Sequence, residues 1–516
     1  MPKDISLSLM PRQAADKKTY VALAARLAGV AESQVALAQV LRRSIDARRG
    51  QIKVNLLVRL YIDDEQVPAP VDFRYDNVSN CPEVVIVGSG PSGLFCALRL
   101  IEVGYRPVIL ERGRDVSSRK RDIAVINRGG AVDPDSNYCF GEGGAGTFSD
   151  GKLFTRSKKR GDYNKALQVL VHHGATPEIL YDARPHIGTD RLPRVVSNIR
   201  QTILAAGGSF VFGKRVTGLK IKDGCVKGVL CGSELVEGVA VVLATGHSAR
   251  DIYDMLWLQG VRVEAKPFAM GVRIEHPQSL IDHIQYRQPR GEFLPAAAYT
   301  LAAQVGGRGV YSFCMCPGGF VVPAMTSDQE CVVNGMSPSG RNSPYANSAI
   351  VTEIRLDDFG YLREEYGELA GLEFQRRYEY SALEHGGRGH AAPGQRVADF
   401  VAGRASKSVP ETSYVPGLAV SDMHSWMPEI VSRSLMGGLE EFGRKMKGFV
   451  TNEACLIGVE SRTSTPVRIP RDPVSLQHPE ISGLYPAGEG AGYAGGIVSA
   501  ALDGERIADA IAAALK

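Results

Sequence analysis

Val84-Val-Ile-Val-Gly-Ser-Gly-Pro-Ser-Gly93 is a run of four β-favouring residues followed by three glycines spaced G-x-G-x-x-G, and Leu94, Ala97, Leu98 and Ile101 continue from it at helical spacing. The order is strand, tight turn, helix. Gly88 permits the sharp turn, Gly90 clears room for a pyrophosphate against the backbone, and Gly93 lets helix and strand pack closely. Pro91 and Ser92 lie in the same turn, where the N–H groups of a helix start and their partial positive charge suit phosphate. Tyr105 to Leu110 reads as a second strand. Glu111 stands at its end, where a carboxylate accepts both hydroxyls of an adenosine ribose, and Arg112 follows it. The competing reading is a glycine-rich turn without a ligand. Strand, helix, second strand and terminal acid in the expected order outweigh it.

Outward from this stretch, 516 residues are too many for one hydrophobic core and imply about two to four domains. A composition 44% hydrophobic and 22% charged is that of an ordinary soluble globular protein, and a net charge of +4 does not by itself imply nucleic acid. Nine cysteines are scattered with no C-x-x-C pair, so no metal site is expected and reduced thiols in the cytoplasm are. No segment has the profile of a signal peptide, and no apolar run approaches the ~18 residues of a membrane span.

Residues 1–78 read as a separate small module. Ile5 to Met10 alternates like a strand, Lys17 to Leu27 has helical spacing, and Val35 to Ala47 with Gln51 to Ile62 reads as a hairpin. The hairpin carries Arg42, Arg43, Arg48, Arg49, Lys53 and Arg59, but lacks the interleaved aromatics that stack on RNA. A solvated face capping the main domain is the preferred reading, and nucleic acid is not an expected partner. Val67 to Pro82, with Pro68, Pro70 and Pro82, reads as a linker. Asn137 to Lys152 is too glycine-rich for helix or strand and reads as a loop pressed against something flat or charged. Val239 to Leu243 is an apolar strand ending in Ala244-Thr-Gly246. From Lys266 to Gly448 no second fingerprint appears.

Three separated segments then fit one site: Gly88 to Glu111, Ala244 to Gly246, and Gly483 to Ile497. In this the chain resembles the two-dinucleotide-binding-domain flavoproteins of the glutathione reductase superfamily. The resemblance implies FAD, with its pyrophosphate and adenosine on the first fingerprint, Gly144 and Gly146 in the loop against the flavin, and Thr245 and Gly246 beside the cofactor. It puts Gly488 and Glu489 on the ribitol, Glu489 being the acid. The helix opening at Gly495, Gly496 and Ile497 would aim its N-terminus at the flavin ring. Arg184-Pro-His-Ile-Gly-Thr-Asp190, Phe268 to His276, Tyr311 to Phe320, Asn334 to Ser337 and Glu460 to Arg468 extend the likeness. Together these resemble a bacterial family of FAD-dependent dehydrogenases over nearly the whole chain. The implied architecture is α/β: a Rossmann-like FAD-binding domain of glutathione reductase type in two parts, 79–265 and 450–516. Between them lies an inserted mixed α+β substrate domain, 266–449, and before them the N-terminal α+β module.

For chemistry, aligning Gly143-Gly144 with the redox loop of the disulfide reductases puts Gly146 and Gly151 where cysteines would stand, so that dithiol is missing. Cys314 and Cys316 form a C-x-C pair that a strand would point to one face, although small buried cysteines usually just pack. Lys152 and Asp150, at the end of the glycine loop, are the leading catalytic candidates. His186, His247, His276 and Glu142 are further acid–base candidates, and Arg273, Arg462 and Arg468 are candidate anion clamps. The run Arg156 to Arg160 is a candidate contact for a nicotinamide phosphate, with a solvated loop as the preferred reading. The expected function is transfer of a hydride between a small-molecule substrate, carboxylates first, and non-covalently bound FAD. It requires an external electron donor or acceptor, with NAD(P)H as a transient reductant among the options. The alternatives are a thiol-dependent flavin reductase using Cys314 and Cys316, or an RNA- or protein-binding flavoprotein in which FAD is structural.

Overall fold

The quoted stretch forms the middle of a five-stranded parallel sheet, ordered Leu484–Pro486, Ala240–Leu243, Glu83–Val87, Arg106–Leu110, Ser209–Val211. This computed structural model describes residues 2–48, 50–67, 69, 71–155 and 161–516; Arg49, Pro68, Pro70 and the run Arg156 to Arg160 lie outside the described residues. The sheet is covered on both faces, which is why its central strands read as unbroken apolar runs rather than alternating ones. Val84 and Ile86 face the helices Pro91–Glu102, Leu192–Ala205 and Ile497–Leu515. Val85 and Val87 face an antiparallel meander, Gly218–Lys222, Cys225–Cys231 and Glu234–Glu237, and the helix Arg250–Leu258.

A second sheet has seven strands, ordered Ala302–Val305, Arg308–Cys316, Tyr345–Ile354, Phe268–Pro277, Cys455–Glu460, Ala392–Arg396, Leu418–Val420. The largest apolar core lies between it and the helices Ala370–Glu384 and Glu429–Lys445. Here the expected boundary at residue 450 needs correction. Cys455–Glu460 pairs on one side with Phe268–Pro277 and on the other with Ala392–Arg396, so the chain leaves the second sheet only after Glu460. Its six residues are all buried, and a short run of that kind looks alike in either sheet. The outward and return crossings pair with each other, Glu264–Ala265 antiparallel to Val467–Arg468.

The N-terminal residues form a three-stranded antiparallel sheet with Lys53–Ile62 between Lys3–Leu9 and Val35–Asp46, and the helix Lys17–Ala28 covers one face over a core of its own. Its edge strand docks on the main body through Arg43: the N–H donates to the Tyr181 carbonyl at 2.9 Å, and the carbonyl accepts from Ala183 at 2.9 Å. Among the described basic hairpin residues, Arg43 pairs with Asp182, Arg48 with Asp46 and Arg59 with Asp4. Among the described residues no helix is long and apolar enough to cross a membrane.

Candidate functional site

The register of the parallel sheet sets Val87 beside Leu110 and Leu243, and Leu243 beside Pro486. The turns that follow, at Gly88, Glu111, Ala244 and Ala487, therefore share the carboxyl edge of the sheet, the usual ligand position in parallel α/β sheets. A cavity of about 910 Å³ extends from this edge to the face of the second sheet. Of the cofactor residues expected from the sequence, all but Gly93 line it, and so do Asp150, Lys152, Cys314 and Cys316.

The glycines divide by what a side chain would meet. A β-carbon on Gly93 would stand 2.1 Å from the Gly88 carbonyl oxygen, so this glycine serves helix–strand contact and not the cavity. One on Gly88, where φ is +101°, would stand 2.5 Å from the Ala244 carbonyl oxygen. Gly90, Gly495 and Gly496 instead have open space at that position. Ser92, on the cavity wall in the first turn of Pro91–Glu102, has a buried hydroxyl with no hydrogen-bond partner. Free helix N–H groups, an unpartnered hydroxyl and glycine clearance form a donor set and a space that fit the diphosphate of a dinucleotide.

Glu111 is buried, and its four acceptor positions are filled. Oε2 accepts from the Ser89 N–H at 3.0 Å and the Ser89 hydroxyl at 2.6 Å, while Oε1 accepts from Gly113 N–H at 2.9 Å and Gly141 N–H at 3.1 Å. A ribose has to displace one of these donors. Arg112 stacks 4.1 Å from the Phe140 ring and pairs with Asp135 and Asp251, so it braces the wall.

The glycine-rich loop takes its path from left-handed residues at Gly141, Gly143, Gly144 and Gly151. Arg119, fully buried on the helix Val116–Asn127, reaches into it and donates to the carbonyls of Asn137, Tyr138, Glu142 and Gly144 at 2.8 to 2.9 Å. Burial lowers its pKa to about 10, against the pull of Glu111. Beyond Asp150 the loop pairs with the segment after Arg184: Ile187 N–H donates to the Gly151 carbonyl, and Leu153 N–H to that of Pro185. This fixes the backbone of Lys152.

Lys152 Nζ stands 3.6 Å from Cys316 Sγ and 3.8 Å from Asp150 Oδ2. Burial works to lower its pKa, but the facing Cys316 and Asp150 charges outweigh burial and hold it above the ordinary value. Asp150 is held between cations. Arg341 chelates it, with Nη2 at 3.0 and 2.8 Å from the two oxygens, and the Ser337 hydroxyl donates to it as well. Burial would raise the carboxyl, yet Lys152 and Arg341 hold it down at about 2, so at neutral pH it is a fixed negative charge. Two of the candidate anion clamps are likewise consumed. Arg273, with no exposed side-chain surface, pairs with Glu460 at 2.8 Å, and Arg462 lies between Glu330 and Glu379 at 2.7 and 2.9 Å. Arg468 is exposed.

Of the histidines, His276 is buried against the Phe449 carbonyl and His186 bonds to the Ser339 carbonyl. His247 lines the cavity with Nε2 3.6 Å from Glu489 Oε2; burial lowers its pKa and Glu489 works against that. Glu142 is buried against Arg200 at 2.7 Å. The sequence reading missed Arg119 and Arg341, whose partners are far along the chain. It also missed Arg184 as a site residue: exposed on the cavity wall, it has no ion-pair partner among the described residues.

The parallel sheet, its glycine-lined carboxyl edge and this cavity define a dinucleotide-binding α/β protein. A model of the family described as FAD-dependent protein, C-terminal domain-like, matches residues 267–463, and a domain of unknown function matches residues 1–61. A protein of Clostridium beijerinckii, itself described as uncharacterized, is 40% identical over 503 residues, covering 93% of each chain. The chain belongs to the family of this clostridial relative. Among solved structures, a geranylgeranyl bacteriochlorophyll reductase-like protein of Thermoplasma acidophilum matches at 12% identity with a TM-score of 0.35, over 84% of this chain and 78% of that one. A glycine oxidase of Bacillus cereus matches at 12% identity with a TM-score of 0.32, over 84% of this chain and 96% of that one. Scores this low bear on neither mechanism nor substrate.

Proposed function

We propose that this protein is an FAD-dependent oxidoreductase that passes a hydride between a small-molecule substrate and non-covalently held FAD, on a nucleotide fold of the glutathione reductase type. The observation that carries the reading is the convergence of the three glycine segments on one cavity, with Lys152 on the same wall. Bound FAD would supply the ring that takes up or gives back the hydride. The protein's part is to hold and to orient. Gly90, Pro91 and Ser92 present the helix start to the diphosphate, and Glu489 stands ready for the ribitol. Gly495, Gly496 and Ile497 bring the second helix start to the flavin end, where its partial positive charge favours an anionic ring. Lys152 holds a positive charge in the substrate space. Arg184, exposed and free of an acid partner among the described residues, would take a carboxylate; its exposure supports an anionic substrate.

The test is anaerobic mixing of the yellow protein with NADH and then NADPH while the visible flavin absorbance is followed. Bleaching by either identifies a reductase that takes the nicotinamide transiently. Persistence of colour, followed by bleaching with a reduced carboxylate, identifies a dehydrogenase with an external acceptor. A purified protein that carries no FAD and does not bind it when it is added overturns the reading.

A further inference from the structure

The Arg308–Cys316 strand does not run straight past the cavity. Its pairing with Tyr345–Ile354 slips between Phe313 and Cys316, and within the slip Cys314 has a φ of +46°. Such bulges re-aim side chains and are common beside active sites. Here the result is an unlike pair on one cavity wall: Cys314 is exposed to the cavity, and Cys316 is buried behind it. Cys316 Sγ stands 3.2 Å from the Cys314 carbonyl, with two cations, Lys152 Nζ and Arg273 Nη2, each 3.6 Å away. Residues two apart in an extended strand are about 6.6 Å from Cα to Cα. A disulfide tolerates up to about 6.8 Å, and the left-handed backbone at Cys314 re-aims that side chain from its place in a regular strand. All nine cysteines are free thiols in this structure.

We infer that Cys314 and Cys316 are a redox dithiol for small disulfides that reach the cavity, Cys314 attacking and Cys316 resolving. This stands on the strand and its neighbours and does not depend on FAD being bound. In the first step the Cys314 thiolate attacks one sulfur of R–S–S–R; the Cys314–SR mixed disulfide forms, and the R–S⁻ that leaves takes a proton from water. In the second, Cys316 gives its proton to water and its sulfur, flanked by Lys152 and Arg273, attacks Cys314 Sγ. The Cys314–Cys316 bond forms and the second R–S⁻ departs and is protonated. The substrate disulfide gains two electrons and the dithiol loses two. Although Cys314 faces the cavity, the surrounding protein keeps bulk water from it and pushes the thiol up to about 11, with Lys152 pulling the other way, so its attack gains rate with pH.

The test uses the purified full chain with bis(2-hydroxyethyl) disulfide, read by intact mass and peptide mapping, with flavin absorbance recorded on the same sample. The wild type should lose two thiols and two hydrogens within the peptide holding both cysteines, and keep no adduct there. Cys316→Ser should trap one mercaptoethanol adduct on Cys314, forming about tenfold faster at pH 8 than at pH 7. Two free thiols at 314 and 316 in the treated wild type, or a stable adduct on Cys314 beside a free Cys316, would overturn the inference. The wild-type mass stands even if the variant fails to fold. Loss of flavin absorbance without a change in thiol chemistry would count against the cofactor reading alone.

Discussion

The two ends of the cavity are built from different materials. The carboxyl edge of the parallel sheet is backbone: helix starts, left-handed glycines, and a carboxylate, Glu111, spent on holding turns together. The opposite wall is side chains: Lys152 and Asp150 with Arg341 around the end of the glycine-rich loop, and the two cysteines on the second sheet. The first kind of surface recognises a ligand common to many proteins and tolerates little change, because its atoms are main chain. The second can be altered one residue at a time without moving the main chain of the glycine turns.

Substitutions can break or sharpen that contrast. The largest effect is expected for Gly93→Val, whose β-carbon meets the Gly88 carbonyl oxygen at 2.1 Å, an atom with nowhere to go. A loss of about 3 kcal/mol or more should leave little folded protein, read by soluble yield and thermal unfolding; a wild-type melting temperature would show that backbone at this edge yields after all. Asp150→Asn comes next. The carboxyl is depressed to about 2 in the folded chain, so it contributes stability that is complete above about pH 4 and fades as the pH falls through 2. Urea titrations should find the variant about 2 kcal/mol less stable at pH 7, with the gap closing in acid. A gap independent of pH would mean that the charge of Asp150 is not what holds the wall. The smallest effect is reserved for Gly90→Ala, where open space awaits the methyl. Unfolding of the flavin-free protein should shift by no more than about 0.5 kcal/mol, while FAD affinity measured by fluorescence titration falls about tenfold, or 1.4 kcal/mol. Equal losses in both would erase the distinction between packing glycines and binding glycines.

The same contrast explains what was legible in the sequence. Strand, turn and helix around Gly88 follow from local rules and are legible from spacing; the late segment through Glu489 and Ile497 enters only through the family resemblance. Parallel pairing sets the turn at Ala244 between those at Gly88 and Ala487. The substrate wall obeys no local rule. Lys152 meets Cys316 across 164 residues and Asp150 meets Arg341 across 191, and neither pair leaves a periodic trace. The cysteines looked inert because the cations beside Cys316 come from distant segments. Arg273 and Arg462 looked available because Glu460, Glu330 and Glu379, which neutralise them, come close only once the second sheet and its helix are assembled.

The helix that follows Gly90 packs on the last helix of the chain. Gly504 lies so near the Ser92 carbonyl that a β-carbon there would be 2.1 Å from it, and Arg99 pairs with Asp509 across 410 residues. During translation the glycine turn is therefore made early but stays uncovered until the whole second sheet has been synthesised. Its apolar flank, including Phe95 and Leu98, gains its partner helix only after about 400 further residues have been made. Polypeptides arrested before Ile497 should therefore retain no flavin, however complete their fingerprint.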